Sequence, residues 1–320
     1  MFQLGGPDAP DAIEPFLYNL FCDPEIIDFP GAWVARRALA KLISTTRSKK
    51  VGEHYKEIGG FSPIRRLTED QAKALGEVLK AYMDPLVVVA MRYWRPFTQD
   101  AVSALEGKHL DQIVLLPLYP QYSYATTRSS LNEWHRRYTP LGIPVKTIDS
   151  YCDHPDYIAA LVEKIDLALR VLEQPDEVHL LFSAHGLPMK LVERGDPYPR
   201  QIESTVKLVR QTGGWKNPFV LCYQSRVGPQ KWLQPSLTAT IEKLAREGVK
   251  RMLVVPIAFV TDHIETLHEI NIEAREEAKK LGVREFTMMP ALNDSPLFIR
   301  ALADLVLRAA GIENTAARAM

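Results

Sequence analysis

The stretch VHLLFSAHGLP, Val178–Pro188, begins as an apolar run and ends in a loop that carries a histidine. Its first part, Val178–Phe182, does not alternate with polar residues, which is typical of a strand buried on both faces of a parallel sheet. Gly186 lets the backbone turn without a Cβ clash, and the proline at the end of the stretch prevents the strand from continuing. The stretch therefore predicts a buried strand with His185 at its carboxyl end.

Similar apolar runs recur along the chain, and amphipathic stretches with helical spacing separate them. The runs are Leu86–Met91, Ile113–Leu118, Phe219–Cys222, Met252–Phe259 and Phe286–Met289, and Val145–Ile148 is a further candidate strand. The helical stretches are Asp156–Leu172, Pro199–Gln211, Leu237–Glu247, Thr266–Leu281 and Pro296–Ala309. Strand–helix alternation of this kind predicts an α/β doubly wound architecture with parallel sheets, and the strands fall into two groups on either side of about residue 150. Ligands of such sheets bind beyond the carboxyl ends of the strands.

Composition narrows the function classes. The chain has 320 residues, enough for two domains, and its 39 Lys and Arg residues equal its 39 Asp and Glu residues, which gives no argument for binding nucleic acid. Cys22, Cys152 and Cys222 are far apart and form no CxxC pair, so a disulfide framework or a four-thiolate metal site is not expected. We expect a cytoplasmic protein without a signal peptide or a membrane-spanning segment.

A histidine at the end of a buried strand has chemistry suited to a cleft. Imidazole accepts a proton near neutral pH, and it also binds iron, copper or zinc. The alternative for His185 is a polar loop histidine without a role, and the residues alone leave the two interpretations about even.

A second segment, VVPIAFVTDHIETLHEI (Val254–Ile270), places acidic residues after a long buried strand. Thr261 or Asp262 would serve as the N-cap of the helix that follows. At helical spacing one face carries several carboxylates: Asp262, Glu265, Glu269, Glu273 and Glu276. Carboxylates that line a cleft could pass protons or attract a divalent cation. A solvated acidic face is favoured for Glu273 and Glu276, and the functional interpretation for Glu265 and Glu269.

Two further segments suit a flat, largely apolar ligand with charged edges. In Leu115–Ser130 a strand runs into a segment rich in aromatic and hydroxyl side chains, including Tyr119 and Ser123. The alternative for these side chains is that they pack between the layers of the fold. Thr46–Ile64 carries a small basic cluster that could pair with ligand carboxylates, for which a solvated surface run is the alternative.

Together these segments resemble ferrochelatase. The resemblance runs along most of the chain, through QLGGP, HYKEIGGFSPI, MRYWRP, YPQYSYATTRSSLN, SAHGLP, YQSRVGPQKWLQP, DHIETLHEI and SPLFIRALADLV. Its most specific part is the histidine loop followed by GDPYP and, further on, by the HIET segment. The resemblance implies insertion of Fe²⁺ into protoporphyrin IX to give protohaem, with release of two protons, at the last step of haem synthesis.

The resemblance also implies two Rossmann-like domains with a porphyrin cleft between them. The N-terminal domain would take residues 1–149, the C-terminal domain residues 150–295, and helix 296–310 would pack back on the first. Phe16–Phe21 and Ile26–Trp33 would form a lip around the cleft that could touch a membrane. The alternative is that these apolar residues are buried core of the first helix.

Each matching residue takes an implied role. His185 would remove protons from the pyrrole nitrogens, bind the metal, or both, and Glu265 would be its acidic partner and a metal ligand. A relay of protons or metal would use Glu269, His263 and Asp262. The positions around the porphyrin would be Tyr55, Arg47, Arg92, Tyr119 and Ser123. Thr46 departs from the pattern, since some members carry a second arginine there.

Some ferrochelatases carry a [2Fe–2S] cluster on a cysteine-rich C-terminal tail. This chain ends in GIENTAARAM and has no cysteine after Cys222, so no cluster is expected, and a monomer or a weak dimer fits the absence of that tail. Ferrous iron would be a substrate.

Three other functions remain open at this point. A chelatase for a sirohydrochlorin-type ring is disfavoured by the GDPYP and HIET context. A tetrapyrrole carrier would not need the Glu265 and Glu269 pair, and a dinucleotide-binding enzyme is disfavoured because no GxGxxG follows a strand. Among porphyrins, HIET favours protoporphyrin over coproporphyrin without settling the choice.

Overall fold

The computed structural model describes residues 1–26, 32–139, 142–226 and 230–313. Contacts group them into two compact units. The first unit takes Met1–Ser150 and the C-terminal residues from Ile299, and the second takes Tyr151–Phe298.

Before residue 150, the described part of the first unit contains four short strands and five α-helices. The strands are β1 (Phe2–Gln3), β2 (Ala90–Met91), β3 (Ile113–Leu115) and β4 (Val145–Thr147). The helices are α1 (Ile13–Cys22), α2 (Ala32–Glu57), α3 (Ile64–Leu79), α4 (Thr98–Ser103) and α5 (Ser129–Arg137). A 3₁₀ turn (Pro10–Ala12) precedes α1, and a π-helical turn (Tyr124–Arg128) precedes α5.

The strands of the first unit are parallel. β1 pairs with β2, and β3 pairs with β4. The Phe2 N–H donates to the Leu116 carbonyl, and the Leu118 N–H donates to the Phe2 carbonyl, both at 2.8 Å, so β1 also runs beside the segment after β3.

The predicted strand Leu86–Met91 is largely wrong, because only its last two residues join a ladder. The register places Phe2 opposite Ala90, so within the described residues Leu86–Val88 face no residue of β1. An apolar run therefore does not define a strand where its partner does not extend beside it.

The second unit is built on four parallel strands in the order β6-β5-β7-β8. The strands are β5 (His179–His185), β6 (Phe219–Gln224), β7 (Arg251–Pro256) and β8 (Glu285–Met288). The helices are α6 (Pro155–Arg170), α7 (Met189–Glu193), α8 (Tyr198–Gly213), α9 (Leu237–Arg246) and α10 (Arg275–Lys280). A further helix, α11 (Pro296–Ala310), belongs to the first unit from Ile299 onward. A 3₁₀ turn (Pro175–Glu177) follows α6, and a long π-helix (Glu265–Ala274) runs directly into α10. The predicted α/β architecture with parallel sheets is confirmed.

Local sequence explains where these helices begin and end. The Ser236 hydroxyl accepts the Ala239 N–H at 3.2 Å and caps α9, as serine commonly does. Pro155 opens α6, where its missing N–H costs no hydrogen bond. Gly214 ends α8 at a φ of 67°, a conformation that glycine adopts without strain.

The core of the second unit fixes the register of its sheet. Leu181, Met252 and Val254 are fully buried between the helices, and Ile241 of α9 packs into the same cluster. Burial of each such side chain contributes about 1.5–3 kcal/mol. This packing aligns the carboxyl ends of the strands, where functional side chains are expected.

None of the described helices has the length and apolar character needed to cross a membrane. The apolar residues predicted as the first part of a lip, Phe16, Leu17 and Phe21, are buried in α1, which favours the core alternative for them. Most of the second part of the predicted lip, residues 27–31, lies outside the described residues. Near the other end of the chain, the Gln112 side chain donates to the carbonyl of Ala310 at the end of α11 at 3.2 Å.

Candidate active site

His185 is the last residue of β5 and is held by its neighbours. The Tyr198 hydroxyl donates to the His185 carbonyl at 3.1 Å. The N–H of Gly186 donates to the Gln224 carbonyl at 2.7 Å, and a Cβ on Gly186 would lie 2.8 Å from that same oxygen. The two strand ends can approach this closely only because residue 186 is glycine. The His185 side chain is 38% exposed, so the fixed ring is open to a ligand.

The tautomer of His185 follows from its contacts. Nδ1 lies 2.5 Å from the Gly186 carbonyl oxygen, which can only accept a hydrogen bond, so Nδ1 carries the hydrogen. In the neutral ring Nε2 then has the free lone pair. Nε2 lies 3.7 Å from Oε1 of Glu265 and is the atom able to take a proton or a metal.

Glu265 lies between two imidazoles. Its Oε2 is 3.5 Å from Nε2 of His263, whose Nδ1 is 2.9 Å from the Thr261 carbonyl. Burial alone would raise the pKa of Glu265, but the His185 and His263 rings outweigh burial and lower the pKa to about 2. Burial also opposes a charge on His263, yet the Glu265 carboxylate and the Thr261 carbonyl raise the pKa of that imidazole above its ordinary value. An imidazolium–carboxylate pair is therefore favoured here.

Glu269 follows Glu265 on the π-helix and has the opposite proton preference. Burial and the nearby Glu265 charge raise the pKa of Glu269 to about 8, although the Ser225 hydroxyl donates a hydrogen bond to its carboxylate and opposes the shift. At neutral pH the site thus holds one ionised and one protonated carboxyl group. Titratable groups whose pKa values are pushed apart are suited to acid and base roles.

Two residues at the end of β6 join the site without having been predicted. The Gln224 side chain donates to the Glu265 carbonyl at 2.9 Å and accepts from the Ser183 hydroxyl at 2.7 Å. Ser225 adopts a φ of 62°, which is uncommon outside glycine and aims its hydroxyl at Glu269. Gln224 is the last residue of β6 and Ser225 follows it, so the rule that ligands bind at carboxyl strand ends could have identified them.

Asp262 is buried and already has several hydrogen-bond donors. Its carboxylate accepts from the Thr266 hydroxyl at 2.9 Å, the Asn293 amide at 2.8 Å and the Ala291 N–H at 3.3 Å. The predicted N-cap at Thr261 or Asp262 is wrong, since the π-helix has Ile264 as its N-cap without a side-chain cap. The Asp262 carboxylate is instead turned toward the loop after β8. The relay role of Asp262 stays a prediction.

In the first unit the Arg92 guanidinium forms an ion pair and hydrogen bonds with nearby side chains. Its guanidinium donates to the Asp23 carboxylate at 2.9 Å and to the Ser129 hydroxyl at 2.8 Å. The Tyr93 hydroxyl donates to the same carboxylate at 2.7 Å. These contacts explain why a carboxylate can be buried at this position. They leave the predicted porphyrin contact of Arg92 untested.

The other predicted porphyrin-binding residues lie on α2 and in the segment after β3. Tyr55 is buried near the end of α2, and Arg47 is exposed on α2 with its guanidinium 5.7 Å from the Phe21 ring centroid. The hydroxyl oxygen of Tyr119 is buried, and burial raises the pKa of this phenol well above its usual range. Ser123 accepts a backbone N–H two residues on at 3.2 Å and caps the π-helical turn. The cluster that the second unit assembles is His185, Glu265, His263 and Glu269.

Comparison with known proteins gives a consistent answer. A family model described as ferrochelatase matches residues 1–310. The chain is 48% identical over 312 residues to a ferrochelatase of Picosynechococcus sp., covering 96% of this chain and 81% of the relative. It is 46% identical over 313 residues to a ferrochelatase of Synechocystis sp., again covering 96% and 81%.

Two solved structures share the fold at low sequence identity. SirB from Bacillus subtilis with Fe³⁺ matches with a TM-score of 0.58 at 14% identity, covering 78% of this chain and 92% of that one. CbiX, described as the terminal enzyme for biosynthesis of siroheme in denitrifying bacteria, matches with a TM-score of 0.53 at 15% identity, covering 77% and 93%. The extent of the family match and the identity to the cyanobacterial relatives show that this chain belongs to the ferrochelatase family.

Proposed function

We propose that this protein inserts Fe²⁺ into protoporphyrin IX, giving protohaem and releasing two protons, as the last step of haem synthesis. The observation that carries this proposal is the cluster at the carboxyl ends of β5 and β7. There the ionised Glu265 lies between His185 and His263, and the protonated Glu269 follows on the π-helix.

The chemistry of the substrate explains why such a cluster is useful. A free porphyrin is planar and holds two N–H protons at its centre, and iron enters only after the ring puckers and those protons leave. A protein that grips the ring out of plane lowers this barrier. Nε2 of His185 is the base that takes the protons, because it has a free lone pair and the side chain is accessible.

The protons then need a path away from His185. Glu265 remains ionised and stabilises the imidazolium that forms on His185, since opposite charges at this distance favour the charged ring. From Glu265 the path continues to His263 on one side and to Glu269 on the other, both of which are within its electrostatic reach. Glu269 can release a proton near neutral pH because its pKa is about 8.

Iron would pass through the same cluster. His185 offers a nitrogen and Glu265 an oxygen, and a mixed site of few ligands binds Fe²⁺ weakly enough to release it to the porphyrin. The porphyrin itself would contact the first-unit positions Tyr55, Arg47, Arg92, Tyr119 and Ser123.

Several wider features belong to the same proposal. We propose that the two compact units are the two domains and that no [2Fe–2S] cluster is held. We also propose a cytoplasmic monomer or weak dimer that makes peripheral contact with a membrane.

Anaerobic turnover of the purified protein with Fe²⁺ and protoporphyrin IX tests the proposal, with haem formation followed by the Soret shift. We expect catalytic haem formation by the wild type and loss of turnover in His185→Ala with porphyrin binding retained. His179→Ala is the matched control, because His179 lies at the opposite end of the same strand.

Normal turnover by His185→Ala would show that the base is wrongly assigned. Stoichiometric porphyrin binding by the wild type without any turnover would contradict the enzymatic proposal and favour a tetrapyrrole carrier.

A further inference from the structure

Asn293, in the loop after β8, holds the loop after β7 in place through three hydrogen bonds. The Oδ1 of Asn293 accepts the Asp262 N–H at 3.0 Å, and its Nδ2 donates to the Asp262 carboxylate at 2.8 Å. The backbone N–H of Asn293 donates to the Val260 carbonyl at 2.8 Å. One residue therefore holds both the backbone and the side chain of the segment that leads into the catalytic cluster.

Further hydrogen bonds connect Asp262 to His263 through Thr266. The Thr266 hydroxyl donates to the Asp262 carboxylate at 2.9 Å and accepts the His263 N–H at 3.1 Å. Asp262, His263 and Thr266 are all buried, so water competes little for these hydrogen bonds. A continuous path of hydrogen bonds thus joins Asn293 to the backbone of the residue that faces Glu265.

Asparagine suits position 293 for two reasons. Its φ is 46°, in the left-handed region that asparagine tolerates better than most side chains. Its amide also presents one acceptor and one donor side by side, as the Asp262 N–H and carboxylate require. An aspartate at 293 would place a second carboxylate against Asp262, and a glycine would keep the backbone but lose both side-chain bonds.

We propose that Asn293 is a positioning residue for iron insertion, which acts through Asp262 and Thr266 to hold His263 against Glu265. In this arrangement the Asp262 carboxylate holds the loop. The inference rests on the proposed function, since it assigns His263 and Glu265 to the reaction.

A charge swap tests the pair. Asn293→Asp alone sets two carboxylates face to face and removes the donor to Asp262. Adding Asp262→Asn gives each of these hydrogen bonds a donor and an acceptor again. The amide N–H of the new asparagine donates to the new aspartate, and its amide oxygen still accepts from the Thr266 hydroxyl and the Ala291 N–H. The double variant therefore rebuilds the hydrogen bonds with the negative charge moved across the pair.

We expect Asn293→Asp to lower kcat by about tenfold to a hundredfold, as lost positioning of reacting groups does. The KM for porphyrin should change by less than about twofold, since Asn293 is not proposed to contact the ring, and each 1.4 kcal/mol of lost binding would raise it about tenfold. The double swap should recover most of kcat. Gln174→Glu is the matched control: Gln174 is exposed and also has a positive φ, of 49°, and the change adds the same charge.

Hydrogen exchange in the free protein gives a readout that does not need turnover. The amides of Asp262 and His263 should exchange faster in Asn293→Asp and return toward wild-type rates in the swap. Wild-type kcat in Asn293→Asp, a swap as slow as the single variant, or unchanged exchange at these amides would each overturn the inference. A wild type that shows the expected protection but inserts no iron would instead contradict the proposed function.

Discussion

Glu265 and Glu269 are neighbours on one π-helix, yet they hold their protons over different pH ranges. Two imidazoles keep Glu265 ionised, and its charge then adds to burial in keeping Glu269 protonated at neutral pH. The difference arises from tertiary neighbours, because the two residues are chemically identical and only four positions apart. A sequence places both on a helix face, but it does not say which one carries the proton.

The raised pKa of Glu269 makes protein stability depend on pH. The unfolded chain loses this proton near pH 4.5, while the folded chain keeps it to about pH 8, so between these values the folded state binds more protons and its stability falls as pH rises. Glu269→Gln removes this proton and should therefore gain in Tm relative to wild type as pH increases from 5 to 8. Thermal melts at several pH values measure the difference.

The control for Glu269 lies on the same helix. The π-helix continues into α10, where Glu276 is exposed, so Glu276→Gln should shift Tm by a similar amount at each pH. A Tm difference for Glu269→Gln that did not change with pH would show that Glu269 is ionised in the folded protein at neutral pH.

Asp23 supports a second prediction at this scale. Its side chain is 1% exposed and neutralises Arg92, whose side chain is 12% exposed. Asp23→Asn leaves that guanidinium with the more distant Glu133 carboxylate, 4.0 Å away, as its counter-charge, which should lower the free energy of unfolding by about 3 kcal/mol. Urea unfolding measures this loss, and Asp70→Asn is the control, since its pair with Arg66 is exposed and contributes little. Equal losses in the free energy of unfolding for the two variants would mean that the buried Asp23–Arg92 pair stabilises the protein no more than the exposed pair does.

At the scale of helices and strands, periodicity predicted the second unit well. The helix predicted at Asp156–Leu172 forms as Pro155–Arg170, and the strand predicted at Phe219–Cys222 continues only two residues further. Long amphipathic stretches and buried apolar runs are local signals, which is why they could be read from the sequence. The predicted strand Leu86–Met91 failed because strand length also depends on the partner strand.

The π-helix and the contacts that complete the site could not be predicted in this way. Apolar and acidic spacing is compatible with either an α-helix or a π-helix, so the sequence gives no sign of the change to i→i+5 hydrogen bonds. Ser225 and Asn293 meet the segment from Asp262 to Glu269 only because β6 and β8 belong to the same sheet as β7. By contrast, His185, Glu265 and Glu269 were proposed from strand-end position and resemblance, and the structure places them in one cluster.

The close approach of β5 and β6 at Gly186 gives a prediction for the pair of strands. Gly186→Ala places a Cβ 2.8 Å from the Gln224 carbonyl oxygen, so the strand ends must separate. We expect a loss of about 1–3 kcal/mol in the free energy of unfolding, with lower kcat because His185 precedes this residue. Urea unfolding and Soret-monitored turnover measure the two effects.

A second glycine-to-alanine change serves as the comparison. Gly52 lies inside α2, and a Cβ there meets the Cδ1 of Ile13 at an ordinary 3.6 Å. Gly52→Ala should therefore stabilise the protein by up to about 1 kcal/mol. If Gly186→Ala were equally harmless, the strand ends would not be as tightly opposed as the structure indicates.

At the scale of the whole molecule, fold and substrate are separate questions. The chain shares its fold with SirB and with CbiX at 14% and 15% identity, and a shared fold at that level does not transfer a substrate. Charge offers a physical criterion instead. The chain as a whole has no net charge, and the cluster around His185 adds the carboxyl groups of Glu265 and Glu269.

This charge distribution predicts which tetrapyrrole the protein prefers. A sirohydrochlorin-type ring carries many more carboxylates than protoporphyrin IX, and burying them costs free energy that a cluster without net positive charge, in which the Glu265 carboxylate already faces His263, does not offset. We expect kcat/KM for Fe²⁺ insertion to be lower for the sirohydrochlorin-type ring by on the order of tenfold or more, with coproporphyrin between the two. Because salt screens buried groups little, the gap should persist as the ionic strength rises, whereas a preference set by long-range repulsion would narrow. Faster insertion into the sirohydrochlorin-type ring at low salt would contradict both this electrostatic argument and the proposal that protoporphyrin IX is the substrate.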